Sequence, residues 1–436
     1  MLPAGVELTE LGSGLQVITE AMPSVRSVAL GLWVRTGSRD EEPVQAGLSH
    51  FLEHLLFKGT PRRSAIEISE QLDGMGASAN AATGKESTHL FARFLDEHTD
   101  EAFELLAEML TEPTLPVEEV DSEREVILEE IAMYEDEPQD RVHDVLAEAI
   151  FGDYPLGRRV LGSAEVIASV PVRDIRAYHD ARYTAGNVVV AAAGHVDHGQ
   201  VVALARNYLQ GQLPSVGEPT DGSAPRRGTG ASLQAPRLCF YAKETEQYHV
   251  CFGGRGIARA DERRFALLVL DAAFGGSSSS RLFREIREKR GLAYAVGSYI
   301  DQFVDDGAVA MYVGTRAENV DEACEIIGRE LSQLRDDGVD AGELARAKEH
   351  VKGRIVLGLE STAARMTRCA RSILYDVPLL SLDELLSRVD AVSSDQVAAL
   401  ADELYDPGQL SAACIGAEEE RFRGAAELVS PALVAA

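Results

Sequence analysis

A chain of 436 residues is too long for one compact core and calls for two or three domains, and its 45% apolar content suits a soluble globular protein. A formal charge of −29 repels the phosphates of nucleic acid, so no nucleic-acid partner is expected. No apolar run approaches the roughly 18 residues that span a bilayer, so no membrane partner is expected either. The first residues, "MLPAGVELTELGSGLQ", carry Glu7 and Glu10 and lack a basic segment followed by an apolar one, which makes the cytoplasm the expected location. The five cysteines, Cys239, Cys251, Cys324, Cys369 and Cys414, all fall in the second half without a CxxC pair. They are expected as small buried hydrophobes, and any metal must then be held by histidine and carboxylate.

Along the chain, "SVALGLWVRTGSRDE" (27–41) alternates as a strand, and a helix follows over about 45–58. That helix contains "GLSHFLEHLLFKGTP" (47–61), in which His50, Glu53 and His54 interrupt an apolar stretch. At i and i+4 the two imidazoles project to one side of a helix, about 5–6 Å apart at their bases, and can share one zinc ion. Glu53 lies on the same side, within reach of a metal-bound water. The order H-x-x-E-H mirrors the H-E-x-x-H helix of zinc proteases. The plainer reading is a pair of histidines capping an apolar face with Glu53 paired to one of them. Burying the three unpaired among Leu48, Phe51, Leu52, Leu55 and Phe57 would be costly, and a metal satisfies all three.

Next, "ASANAATG" (77–84) reads as a strand of small residues whose accessible backbone suits β-augmentation by an extended peptide. Packing of those small residues under a helix is the alternative. Helices are expected over 98–111 and 117–136. The second turns Val120, Ile127 and Ile131 inward and sets Glu123 and Glu130 two turns apart on one face. Its segment "DSEREVILEEIAMYEDE" offers candidates for a third metal ligand, with Glu129 beside Glu130. Asp140 and Asp144 follow one turn apart, a pair that a solvated helix face also explains. His195 and His198 sit three apart after a strand, with no partner carboxylate marking them out. "GGSSSS" (275–280) lacks the surroundings of a phosphate loop and reads as a flexible turn before a helix.

The chain says much of this twice. A Pro/Gly/Ser/Thr-rich linker, 213–232, divides it near the middle. The strand and helix of the first half find counterparts in "YHVCFGGRGIARADE" (248–262) and "RRFALLVLDAAFGG" (263–276). "DEAFELLAEML" (100–110) is echoed by "DEACEIIGREL" (321–331), each leading into a long charged helix. Two homologous domains are expected, at 1–212 and 233–436. The fold class is α+β, each domain a mixed, largely antiparallel sheet with helices packed on one face.

"GLSHFLEHLLFKGT" followed by Glu130 within "EREVILEEI" resembles the inverted-zincin peptidase family of pitrilysin, insulin-degrading enzyme and mitochondrial processing peptidase. "LWVRTGSRDE" (32–41), "NAATGKEST" (80–88), "YTAGNVVVAAAGHVDH" (183–198) and "SRLFREIREKRGLAYAVGS" (280–298) read like family segments in the family order. The wording is most similar to the catalytic β subunit of the processing peptidase and its bacterial homologues. The resemblance implies a zinc metalloendopeptidase cleaving unfolded or extended peptides, with one Zn2+ per chain held by His50, His54 and Glu130. It makes Glu53 the general base and Glu123 a carboxylate that orients the site. It assigns Asn80 and Ala81 to the substrate backbone, and Asp140 and Asp144 to an Arg or Lys near the cleavage point. In the second half Leu267, Leu270 and Asp271 stand where the first has His50, Glu53 and His54, so that half is expected without zinc. There the resemblance leaves Arg287 and Tyr294, seven apart, to reach substrate. It also implies two chains closing around the peptide, as a homodimer or with a zinc-less homologue. The alternative is a non-catalytic structural or substrate-presenting subunit.

Overall fold

The computed structural model describes residues 2–214 and 235–433, so nearly all of the expected linker, 213–232, lies outside the described residues. The first strands are β1 (Val6–Glu10), β2 (Gln16–Ala21) and β3 (Ser27–Val34), followed by helices α1 (Leu48–Leu55) and α2 (Ala65–Gly74). A hairpin, β4 (Ser78–Thr83) and β5 (Thr88–Leu95), precedes α3 (Thr99–Thr111), α4 (Val117–Asp136) and α5 (Pro138–Phe151). Then come α6 (Ala164–Ser169), α7 (Val172–Arg182), β6 (Val188–Gly194) and α8 (His198–Tyr208). The second half opens with β7 (Leu238–Ala242), β8 (Tyr248–Arg255) and α9 (Arg264–Phe274), then β9 (Ala293–Gln302) and β10 (Gly307–Thr315). Helices α10 (Val320–Asp337), α11 (Ala341–Gly358), α12 (Thr362–Leu374), α13 (Leu382–Asp390) and α14 (Ser394–Leu404) follow. Strand β11 (Ser411–Gly416) and α15 (Glu419–Val429) complete the chain.

Two compact units result. The described residues within Met1–Ala132, Arg158–Arg226 and Leu357–Ser381 form unit 1, and those within Met133–Gly157, Arg227–Val356 and Leu382–Ala436 form unit 2. The sheet of unit 1 runs β1-β2-β6-β3-β5-β4 and that of unit 2 runs β7-β11-β8-β10-β9. Apart from β1 the two orders correspond strand for strand. In each, the outer pair is parallel (β2 with β6, β7 with β11) and the remaining pairs are antiparallel. The same topology twice is the structural form of the repeated sequence, and the α+β class with two mixed sheets stands.

In unit 1, Val28, Leu30, Leu32 and Val34 of β3 and Leu90, Ala92 and Phe94 of β5 face one core. Leu48, Phe51, Leu52 and Leu55 of α1 fill it together with Phe103, Leu106 and Leu110 of α3 and with Val120, Ile127 and Ile131 of α4. The period-2 pattern of the strands meets the 3.6-residue pattern of the helices there. β3 and β6 are buried at nearly every position, which requires a second cover. Helix α12 supplies it, packing on β2, β3 and β6. Trp33 points to that side, stacks on His89 at 3.7 Å, and its indole N–H donates to Met366 Sδ at 3.3 Å. A Cβ on Gly31 would stand 2.6 Å from the Trp33 indole nitrogen and 2.7 Å from Met366 Sδ, so the glycine makes room for this contact.

Unit 2 mirrors the arrangement. Val142, Val145, Leu146 and Ile150 of α5 pack on Cys251, Ala308, Ala310, Ala413 and Ile415 of its sheet. Arg237 of the segment entering β7 donates to the Ala149 carbonyl at 2.9 Å. Two expectations change here. Helices do not cover one face only, because α12 and α5 shield the second faces. The compact units also depart from the sequence halves, since the helix after each half's long charged helix packs on the other half's sheet. Of the cysteines, four are buried; Cys239 is half-buried because β7 is an edge strand.

Met366→Ala should lower stability by about 2–5 kcal/mol, read as a reduced denaturant midpoint in the fluorescence of Trp33, the single tryptophan. An unchanged midpoint would show that α12 does not hold this sheet.

Candidate metal centre

Helix α1 begins at a crowded point. Gly47 has φ +99°, and a Cβ there would meet the Leu161 carbonyl at 2.8 Å; across from it, a Cβ on Gly162 would meet the Ala46 carbonyl oxygen at 2.3 Å. With glycine at the head of the helix, no local side chain caps it. Glu41 does so from a distance: its carboxylate accepts from the Gly47 N–H at 2.8 Å and the Ser49 N–H at 2.7 Å. An acidic group suits the positive end of the helix. Ser49 Oγ bonds the Tyr178 hydroxyl at 2.7 Å, which bonds Thr36 at 3.2 Å, and Arg158 donates to the Glu41 carbonyl. Burial pushes the Glu41 carboxyl up to about 7 against the pull of these hydrogen bonds, and burial likewise raises neighbouring Asp40 to about 6.

With its apolar side in the core, α1 turns His50, Glu53 and His54 towards α4. That helix is fixed by Val120, Ile127 and Ile131 and by Arg124, which donates to the carbonyls of Ile167 and Val170 and lies over the Phe51 ring at 5.5 Å. Glu123 and Glu130 therefore face α1. His50 Nε2 and His54 Nε2 each stand 3.7 Å from Glu130 Oε2. One ligand atom from each of the three residues lies within 4.8 Å of the others. Adjacent Glu129 is exposed, and of the two neighbours it is Glu130 that joins the histidines.

A distance of 3.7 Å is too long for a hydrogen bond. It is close to the spacing, about 3.4 Å, of two ligands that each reach about 2.1 Å to one tetrahedral ion. Nδ1 of His50 is buried without a partner. Burial, and then the charge of His54, lower His50 to about 4, so at neutral pH its imidazole is an unprotonated donor. Two imidazoles and a carboxylate form a donor set that suits zinc. Among the described residues this is the one such cluster of three or more metal-ligating side chains.

The neighbours complete it. His54 Nδ1 lies 2.8 Å from Glu123 Oε1, which places the ring proton towards Glu123 and leaves the Nε2 lone pair facing Glu130. Glu123 is buried, which raises its pKa, but the hydrogen bonds from Lys58 and His54 outweigh that and hold it below the usual range. Burial raises the Glu53 carboxyl, and Thr83 on β4 partly offsets this through hydrogen bonds from both its side chain and its backbone. Thr83, Lys58 and Glu41 lie within the segments that carry the resemblance, but no spacing assigns them a role; only the spatial meeting of their segments with α1 and α4 reveals it.

The other predicted residues divide between the units. Asn80 and Ala81 lie on β4, the free edge of the unit 1 sheet, where Asn80 Oδ1 accepts from the Ala81 N–H at 2.9 Å. Asp140 and Asp144 sit in the first turns of α5 in unit 2, beside Tyr134, whose hydroxyl donates to the Asp140 carbonyl at 3.1 Å. Arg287 and Tyr294, also in unit 2, pair with each other: the guanidinium stacks 4.4 Å from the Tyr294 ring and donates to its carbonyl at 2.9 Å, while the ring is exposed. Leu267 and Leu270 are fully buried and Asp271 bonds Ser298 Oγ at 2.6 Å, so the second half's counterpart of the motif is taken up by packing. The reading of His195 without a carboxylate needs correction. Its Nδ1 bonds Asp96, which lies 99 positions away in sequence and reaches it only through the fold.

A family model described as insulinase (peptidase family M16) matches residues 16–164, and one described as the peptidase M16 inactive domain matches 169–351. A Streptomyces coelicolor protein named an uncharacterized zinc protease is 44% identical over 396 residues, covering 91% of this chain and 86% of that protein. The chain belongs to the M16 (insulinase) peptidase family. The uncharacterized zinc protease YmxG of Bacillus subtilis is 39% identical over 90% of this chain and 94% of its own. Among solved structures, a protease from Helicobacter pylori superposes with a TM-score of 0.88 at 23% identity, covering 95% of this chain and all of that one. A peptidase M16 inactive domain structure from Pseudomonas fluorescens gives 0.87 at 21%, so the M16 fold is shared at low identity. The model labelled inactive spans Leu267, Leu270 and Asp271.

Because Glu41 has a raised pKa in the folded chain, the native state holds a proton that the unfolded state has released between about pH 4.5 and 7. Glu41 therefore contributes stability that is present at low pH and lost as pH rises through that window, opposite in sign to His50 and His89, which burial lowers to about 4. Glu41→Gln should remove this contribution, so the change in stability between pH 5 and 7.5 should be more favourable in the variant than in the wild type. Urea midpoints at pH 5 and 7.5 decide it; equal slopes in both proteins would refute the assignment.

Proposed function

We propose that the chain is a zinc metalloendopeptidase that cleaves extended or unfolded peptides. The observation that carries this reading is the convergence of His50, His54 and Glu130 on one point, with Glu53 on the same helix and free of the ligand role. A zinc ion held by these three residues would acidify a water molecule and polarise the scissile carbonyl. Glu53 takes the proton of the attacking water and returns it to the leaving nitrogen. Glu123 holds His54 in the tautomer that offers Nε2. The presence of every one of these groups favours a catalytic chain over a purely structural subunit.

Substrate would lie along β4. Its outer edge leaves backbone groups for an added strand, and its small side chains let a peptide approach, with Asn80 and Ala81 at the contact. Asp140 and Asp144 are assigned to a basic side chain near the scissile bond. Arg287 and Tyr294 are assigned to substrate binding, where the exposed phenol can donate to a peptide carbonyl. The likeness to the processing peptidase β subunit further suggests that two chains act together, as a homodimer or with a zinc-less homologue, in the cytoplasm.

Chelation should abolish cleavage of an unfolded arginine-containing peptide, and added Zn2+ should restore it. Glu53→Gln should keep zinc bound while turnover falls by about 10²–10⁴; wild-type turnover in that variant sinks the mechanism. Replacing the arginine of the peptide by alanine should lower kcat/KM, and this discrimination should vanish in Asp140→Asn/Asp144→Asn. Equal cleavage of both peptides by the wild type would remove the assignment of the two aspartates.

A further inference from the structure

Helix α1 ends at Leu55, and the turn that closes it brings Lys58 back towards α4, with its N–H bonded to the Leu55 carbonyl at 3.1 Å. Lys58 lies beyond the end of the helix, and the turn carries its side chain to the side that holds the metal cluster. There its ammonium bonds Glu123 Oε2. The other oxygen of the same carboxylate, Oε1, faces His54 Nδ1 at 2.8 Å. The Glu123 side chain is 7% exposed, whereas that of Lys58 is 29% exposed.

Glu123 is thus a bridge with two ends. A carboxylate held at one oxygen alone can rotate about its last torsion, and a buried one without a compensating cation is costly. The ammonium provides the second anchor and the compensating charge at once. The imidazole plane of His54, and with it the direction of its Nε2, is then set by a line of three residues running from the turn through α4 back to α1. We propose that Lys58 is a positioning residue for the metal centre, acting on His54 through Glu123. The proposal rests on the reading of His50, His54 and Glu130 as zinc ligands and goes beyond it, because Lys58 touches neither metal nor substrate.

The test is Zn2+ binding by the full chain, stripped of metal and titrated in competition with a chelating dye, for wild type, Lys58→Met, Lys58→Arg, Glu123→Gln and the double variant Lys58→Met/Glu123→Gln. Lys58→Met should weaken Zn2+ affinity by about 10–100-fold, the range seen when a partner of a metal-bound histidine is lost. Lys58→Arg, which keeps the charge, should recover most of it. In the Glu123→Gln background Lys58→Met should have no further effect, because the bridge is already gone. Melting of the metal-free proteins checks that all five are folded, and the partly exposed lysine stem makes that the expected result. Wild-type affinity in Lys58→Met, or the same loss with Glu123→Gln already present, overturns the proposal while leaving the ligand assignment standing. A wild-type chain that takes up no Zn2+ overturns both.

Discussion

Everything at the candidate centre depends on one helix that must bury an apolar side and, on the other, hold two imidazoles and a carboxylate close together. The buried side of α1 fixes its rotation, since Leu48, Phe51, Leu52 and Leu55 can only face the sheet. The polar side then has no choice of direction. Polar groups brought this far from water need partners, and the fold meets the need unequally. Glu53 has Thr83 and His54 has Glu123, while His50 is left with a buried nitrogen unpaired and a carboxylate at non-bonding distance. What a shared ion would join is the pair of Nε2 atoms, each 3.7 Å from Glu130 Oε2 and not hydrogen-bonded to it.

The start of the helix matters as much as its face. A glycine at position 47 permits the close backbone approach at Gly162 but removes the local cap, and Glu41 replaces it with a carboxylate from the preceding loop. The first turn of α1 is therefore tied to the loop after β3 and, through Ser49 and Tyr178, to α7. Rigid support of this kind is what a site needs if its donor atoms are to stand ready at ligand spacing. The acidic residue that performs it lies in the "GSRDE" segment, where sequence alone offers no reason to prefer it to Asp40.

A second constraint acts on the whole chain. The buried strands β3 and β6 expose apolar surface on both faces, and the helices of the same sequence half cover only one. The missing cover comes from α12, and α5 does the same for the second sheet. Neither half of the sequence holds all the elements of its own unit. Trp33 beneath Met366 shows how specific the exchanged contact is, since it needs a glycine at position 31 to fit.

The periodic pattern of the chain determined the helices near 48–55, 99–111 and 117–136, the strands around them, the duplication, and that His50, Glu53 and His54 share one helix face and Glu123 and Glu130 another. These follow from spacing along one element, where i+3, i+4 and i+7 settle which side chains share a face whatever lies beyond. The family resemblance already favoured Glu130 over Glu129; tertiary structure brings it to 3.7 Å from both imidazoles, because that depends on how α4 is rotated against α1. It also supplied Lys58, Thr83 and Glu41 as supporting groups, Asp96 as the partner of His195, and the exchange of α5 and α12. Each of these joins segments far apart in sequence, and no local periodicity encodes which distant surface an amphipathic helix will cover; that choice is made by the apolar area left exposed once the rest of the chain has packed.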